Sequence, residues 1–251
     1  LAGAIRLLVG LGNPGQEYER TRHNAGFWLL ERFALQSGVA LRKDGKYQAL
    51  VGRLPTEGGK AGAWLVLPQS YMNASGRAVQ MLAGFFKIAP AEILVVHDEL
   101  DFLPGTAKMK QGGGIAGHNG LRDISQRLGS HDYWRLRLGI GHPGDRGQVS
   151  DYVLGKPSAE DRSAIDEAIA RSIEILPQCL SGDLQGAMQK LHSVEKKIEP
   201  KKAEPKAAPR VEKKPEPKVE AKPEPRPEPG PAPKPEAEKP KGLLGSLFRK
   251  K

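Results

Sequence analysis

His23-Asn24, Asn13, Asn73, Asp98 and His118-Asn119 are the residues whose types and placement can carry chemistry in this sequence. A site that activates water needs a base that is neutral near pH 7, a carboxylate to orient it and amides to hold a carbonyl. His23, Asp98 and the asparagines supply that inventory. Asn13 follows the apolar run Ile5–Leu11, Asp98 follows the run Ile93–Val96, and His118-Asn119 follows the glycine-rich loop Gly112–Gly117. Ligands in open α/β sheets gather where loops leave the carboxyl ends of strands. Asn13, Asp98 and Asn119 are therefore expected to converge in space. Singly, each has a plainer reading: an Asn in a turn, an Asp as a cap, a His on the surface of a helix start. Thr21 is expected to cap the helix that His23-Asn24 opens. A helix N-terminus disfavours imidazolium and a nearby carboxylate favours it, which poises His23 near neutrality.

Other chemistries fit less well. Gly10-Leu11-Gly12-Asn13-Pro14-Gly15 has the spacing of a dinucleotide-binding loop after a strand. That loop should open a helix at once, yet Gln16–Arg22 is polar and carries no apolar stripe. There is no GK[ST] for a Walker loop and no GxSxG for a nucleophile elbow. Cys179 has no base beside it in sequence and reads as a small buried hydrophobe. Neither HExxH nor CxxC occurs, and a metal site built from His23, His97, His118 and Asp98 has no support from spacing.

The elements that must position these residues read as alternating strands and helices. Strands are expected at Ile5–Leu11, Ala63–Leu67, Ile93–Val96, Thr106–Lys110 and Trp134–Ile140. Helices are expected at Phe27–Leu35, Ser70–Phe86, His118–Leu128, Ser158–Cys179 and Asp183–His192, from apolar residues at helical spacing. The fold class expected is α/β: a single domain with a central mixed, mostly parallel sheet flanked by helices.

Charge and proline divide the chain. Of 21 prolines, 13 lie in residues 196–251. That stretch carries 17 Lys/Arg against 9 Asp/Glu, a net of +8, and leaves residues 1–195 with 22 against 20, a net of +2. A nearly neutral body over 1–195 is therefore followed by a basic tail. Residues 196–241 are expected to be a disordered Pro/Lys/Glu-rich linker. Residues 242–251 (GLLGSLFRKK) read as a short basic amphipathic segment that could dock on a partner or an anionic surface. One cysteine excludes an internal disulfide. No apolar run reaches the ~18–20 residues that span a bilayer. The start, Leu1–Gly12, lacks the basic region of a signal peptide, so a cytoplasmic protein is expected.

Several long motifs occur together and in order: VGLGNPG (9–15), Tyr18 with TRHNAG (21–26), MNASG (72–76), HDELD (97–101), GGGIAGHNGL (112–121), RLRLGIGHPG (135–144) and DYVLGKP (151–157). Through them the sequence closely resembles bacterial peptidyl-tRNA hydrolase over roughly residues 5–192. The resemblance implies hydrolysis of the ester between a peptide, or an N-blocked aminoacyl group, and the 3′ ribose of tRNA, recycling peptidyl-tRNA released from ribosomes. It implies that His23 activates water, that Asp98 orients His23, and that Asn13, Asn73 and Asn119 hold the peptide and the reacting carbonyl. Tyr18, Met72 and His118 match the lining of the substrate groove. Lys110 and Arg137 match a basic pair that binds the tRNA 5′-phosphate beside the acceptor stem. It implies no metal and no organic cofactor, and a monomer is expected. This chain departs from the pattern at Ile115-Ala116, where many members carry His-Gly.

Lys108, Lys110, Arg122, Arg127, Arg135 and Arg137 fall within 30 residues. Arg135 and Arg137 alternate on a strand, which would give them one sheet face and a place toward phosphate. The rival functional reading is a non-catalytic RNA-binding protein, such as the splicing factors that resemble this fold. A nicotinamide enzyme built on the GxGxxG spacing is a second rival.

Overall fold

The computed structural model describes residues 3–55 and 62–198. Of the linker expected over 196–241, residues 196–198 belong to the last helix; the rest of it and the terminal segment 242–251 lie outside the described residues. Strand β1 (Leu7–Gly10) leads through a loop and a short 3-10 turn to helix α1 (Ala25–Gln36). A hairpin of β2 (Arg42–Asp44) and β3 (Ala49–Arg53) then precedes β4 (Trp64–Pro68), α2 (Gly76–Phe86) and β5 (Ile93–Glu99). The chain continues through β6 (Ala107–Gln111), α3 (Asn119–Leu128), β7 (Trp134–Gly139), α4 (Val149–Leu154), α5 (Ala159–Ile173), α6 (Leu176–Ser181) and α7 (Leu184–Ile198).

The strands form one sheet in the order β2-β3-β4-β1-β5-β7-β6. The four central strands, β4, β1, β5 and β7, run parallel, while β3 and β6 run against their neighbours. The sheet is thus mixed and mostly parallel, as expected. Alternation along β1 explains the two cores. Leu8 packs among α1, α5, α6 and α7, whereas Leu7 and Val9 pack under α2 and α3. Each of these three side chains is fully buried.

Chain order makes a crevice. From β1 the chain reaches β4 on one side, and from β4 it crosses over β1 to β5 on the other. The loops after β1 and β4 and the end of β5 therefore open at one switch point, where α/β sheets place their ligands.

Close backbone packing sets the geometry there. A methyl group on Gly26 would meet the Val96 carbonyl oxygen at 2.4 Å, and one on Gly10 would meet the Gly26 carbonyl oxygen at 2.6 Å. The first turn of α1 thus lies directly on β1 and β5. This explains the glycines at 10 and 26 without any phosphate, and the polar stretch after Gly15 forms turns rather than a helix.

The structure differs from the sequence reading at several elements. Asp98 lies inside β5, which runs on to Glu99, instead of following it. The helix expected over 158–179 is two helices, α5 and α6, with Pro177 in the first turn of the second. The last helix continues to Ile198. The β2–β3 hairpin and α4 were not expected. Asp44 turns that hairpin by accepting from the backbone N–H groups of Lys46 and Tyr47. Among the described residues no helix is long and apolar enough to cross a membrane.

Candidate active site

His23 sits in the 3-10 turn 22–24, just before α1. Its neighbour Arg22 anchors that turn. The Arg22 guanidinium donates to the Tyr152 carbonyl at 3.2 Å, stacks 4.0 Å from the Tyr152 ring and pairs with Asp161 at 3.7 Å. Thr21 does not cap the helix with its side chain; its hydroxyl donates to the Tyr18 carbonyl instead.

Asp98 is the hub. His23 Nδ1 lies 2.9 Å from both of its carboxylate oxygens, and His118 Nε2 lies 3.0 Å from one of them. All three side chains are nearly or wholly buried. His118 Nδ1 accepts from the backbone N–H groups of Gly120 and Leu121, capping α3. A nitrogen that accepts carries no proton, so the His118 proton is on Nε2 and donated to Asp98.

The electrostatics follow. Burial alone would raise the Asp98 pKa, but His23 and His118 hold it well below the usual carboxylate range. Burial would likewise pull His23 down, yet the charge and hydrogen bond of Asp98 together reverse this and raise its pKa. With Nδ1–H donated to the carboxylate, His23 Nε2 is the bare nitrogen of that ring. The ligand-type atoms of His23, Asp98 and His118 lie within 4.8 Å of one another. Their donor–acceptor pairing is that of a hydrogen-bonded triad.

A cavity of about 830 Å³ opens on this triad. Asn13, Met72, Asn73 and Asn119 line it together with His23, Asp98 and His118. Asn13 also builds it: the side-chain oxygen accepts from the Met72 N–H at 2.7 Å, and its own backbone is held at both ends by the Asn24 amide. Asn119 starts α3 and accepts from Arg122. Tyr18 is not in the cavity wall. It stands edge-on to Tyr71, at 6.2 Å between ring centroids, and Tyr71 does line the cavity.

Lys110 and Arg137 lie on the two last strands of the sheet, outside the cavity wall. Arg137 pairs with Glu99 at 2.8 Å and stacks on Phe102. Arg135 does not face outward as expected from its alternation with Arg137. It is 1% exposed and donates to the carbonyls of Gly112, Gly113 and Gly114, which latches the glycine loop. Sequence reasoning also missed Tyr71, Glu99 and the α4 wall formed by Val149, Val153 and Leu154. The spacing of those three apolar residues was the available signal.

The family model for peptidyl-tRNA hydrolase matches residues 7–201. The chain belongs to the peptidyl-tRNA hydrolase family. It is 52% identical over 205 residues to the peptidyl-tRNA hydrolase of Leptothrix cholodnii, covering 82% of this chain and 94% of that one. It is 52% identical over 193 residues to the enzyme of Neisseria gonorrhoeae, covering 77% of this chain and all of that one. The crystal structure of peptidyl-tRNA hydrolase from Acinetobacter baumannii superposes with a TM-score of 0.72 at 45% identity, over 74% of this chain and 94% of that one. This chain is therefore an ester hydrolase of the peptidyl-tRNA hydrolase type. Neither the splicing-factor reading nor the nicotinamide reading is favoured.

Proposed function

We propose that this hydrolase cleaves the ester between peptide and 3′ ribose with a water activated by His23 Nε2. Asp98 holds the proton of Nδ1 and stabilises the imidazolium that forms when Nε2 takes the proton of the water. The attacked carbonyl gains negative charge, and the side-chain amides of Asn13, Asn73 and Asn119 are the donors offered to it and to the peptide backbone. An aminoacyl ester is activated enough for this inventory. The observation that carries the reading is that the bare nitrogen of a carboxylate-oriented imidazole and three asparagines share one cavity. In the same reading Met72 forms an apolar wall, and Tyr18 acts through Tyr71. His118, with both nitrogens engaged, holds Asp98 in place while its ring lines the substrate cleft.

Lys110 and Arg137 are proposed to bind the 5′-phosphate of the tRNA beside the acceptor stem. Burial and then the charges of Arg137 and Arg135 lower the Lys110 pKa, so three cations are crowded there. A phosphate relieves that crowding, sharing Arg137 with Glu99. The cytoplasm, where charged tRNA is found, is the proposed place of action. Release of labelled N-acetyl-amino acid from N-acetyl-aminoacyl-tRNA tests the reading. Catalytic turnover is expected; stoichiometric tRNA binding without release would reject it.

A further inference from the structure

His97 precedes Asp98 on β5 and has been given no role so far. The residue is 2% exposed, in the cavity wall beside the triad. His97 Nδ1 lies 2.7 Å from the main-chain carbonyl oxygen of Asp98. A carbonyl only accepts, so the His97 proton is on Nδ1. Its Nε2 is buried and has no hydrogen-bond partner among the described residues. The ring also meets the His118 ring edge to face, with centroids 5.0 Å apart at 78°. His118 in turn stands 5.0 Å from His23. Three imidazoles are therefore packed around one aspartate. His23 and His118 hold the carboxylate, and His97 holds the backbone carbonyl.

We infer that His97 is a positioning residue: by tying the Asp98 carbonyl and bracing the His118 ring, it fixes the direction of the carboxylate toward His23. The inference rests on reading His23 and Asp98 as the base and its orienting partner. An apolar ring or a leucine would fill the same space without leaving a bare nitrogen in the core. The feature that histidine adds is the Nδ1–H on the carbonyl.

On balance the surroundings of His97 disfavour a charge on its ring. Burial is the largest influence, and the neighbouring His118 and the Arg135 guanidinium on β7 also disfavour a charge on it. Asp98 favours one, through its charge and its carbonyl, but the net pKa is well below the ordinary imidazole value. His23 is faced by Asp98 and by the His118 ring, and Glu99, Asp101, His142 and Arg146 line the cleft around them. A neutral His97 adds no cation to compete with His23 and His118 for the Asp98 carboxylate.

Two measurements test this. In the full-length protein labelled at histidine nitrogens, two-bond nitrogen–proton correlation spectra report each tautomer. His97 is expected as the neutral Nδ1–H form across the active pH range, without titrating. A His97 carrying its proton on Nε2, or titrating near the ordinary value of about 6.5, overturns the inference. The second measurement compares His97→Leu, which removes the donor, with His97→Asn, which keeps an N–H of similar reach. His97→Leu is expected to lower kcat by about 10–10²-fold, as a small misplacement of reacting groups does, with KM unchanged. The acid limb of its kcat–pH profile is expected to move to lower pH, because a misdirected carboxylate no longer raises the His23 pKa. His97→Asn is expected to restore most of kcat and the limb. A folded His97→Leu protein with the parent kcat and limb overturns the inference. So does equal impairment of the two variants, which would mean that ring volume alone matters. Should His97→Leu fail to fold, the tautomer measurement decides. Failure of the underlying reading is distinguishable: it would appear as full activity in a protein lacking His23, whatever His97 does.

Discussion

His23 Nδ1 is equidistant, at 2.9 Å, from the two carboxylate oxygens of Asp98. One of those oxygens also accepts from His118 at 3.0 Å. The carboxylate is thus held by two imidazole donors from two different elements, and the other nitrogen of His23 is left for water. The opposed pKa shifts of His23 and Asp98 are two views of the same contact.

The contact predicts the pH dependence of activity. Asp98→Asn replaces the acceptor of two N–H groups with an uncharged amide. The kcat is expected to fall by about 10²-fold or more, as when the acidic member of a triad is neutralised. The acid limb of the kcat–pH profile is expected to shift to lower pH, since the group that raises the His23 pKa is gone. A pH–rate series of both proteins checks this.

The same contact predicts the pH dependence of stability. Asp98 has a depressed folded pKa, so its contribution is full above the unfolded value of about 3.9 and is lost as pH falls through the folded value. His23 has a raised folded pKa, so its contribution is full below about 6.5 and is lost as pH rises through the folded value. Chemical denaturation in a buffer series extended below pH ~4 should show a steeper loss of stability for the parent than for Asp98→Asn.

His118 joins a helix cap to the site. His118→Ala removes the acceptor of the Gly120 and Leu121 N–H groups, which is expected to cost about 0.5–2 kcal/mol. It also frees Asp98 on one side, so kcat should fall with little change in KM. Denaturant unfolding and steady-state kinetics on one preparation separate the two effects.

Ala116 occupies the left-handed region, with φ of 47°, in the loop that leads to His118. Glycine adopts that conformation without strain. Ala116→Gly is expected to raise stability by up to about 1 kcal/mol and to leave catalysis intact. Thermal unfolding measures it. Ile115, by contrast, packs against the core under α2 and α3, so Ile115→His should loosen the loop.

Lys110→Ala and Arg137→Ala are expected to raise KM for tRNA bearing a 5′-phosphate, with a weaker effect at high salt. Equal losses on a minimal peptidyl-nucleotide without that phosphate would contradict the assignment. Arg135→Ala should behave differently: it frees the Gly112–Gly114 carbonyls and should lower stability at any salt concentration.

Much of this was legible in the sequence because buried strands announce themselves. Ile5–Leu11, Ala63–Leu67 and Ile93–Val96 are apolar runs ended by polar, proline or glycine residues, and Asn13, Met72-Asn73 and Asp98 come within a few residues of their ends. The α/β alternation and the convergence of Asn13, Asp98 and Asn119 came from that pattern. The β2–β3 hairpin was not legible, since Arg42–Asp44 is charged and short, and its strand character comes from pairing with β3. The break between α5 and α6 was hidden by a continuous apolar periodicity across Glu174-Ile175. The burial of Arg135 could not be read from alternation either. Alternation gives a face, and the loop carbonyls that fill that face come from residues more than 20 positions away.

The most direct test of the account is peptide release by His23→Ala. Peptidyl-tRNA turnover is measured under saturating substrate, with folding checked by circular dichroism and tRNA binding checked separately. Loss of His23 as base predicts a fall in kcat of about 10²–10⁴-fold with tRNA affinity retained. A folded His23→Ala protein that releases peptide at the parent rate would contradict the assignment of His23, and with it the role of Asp98.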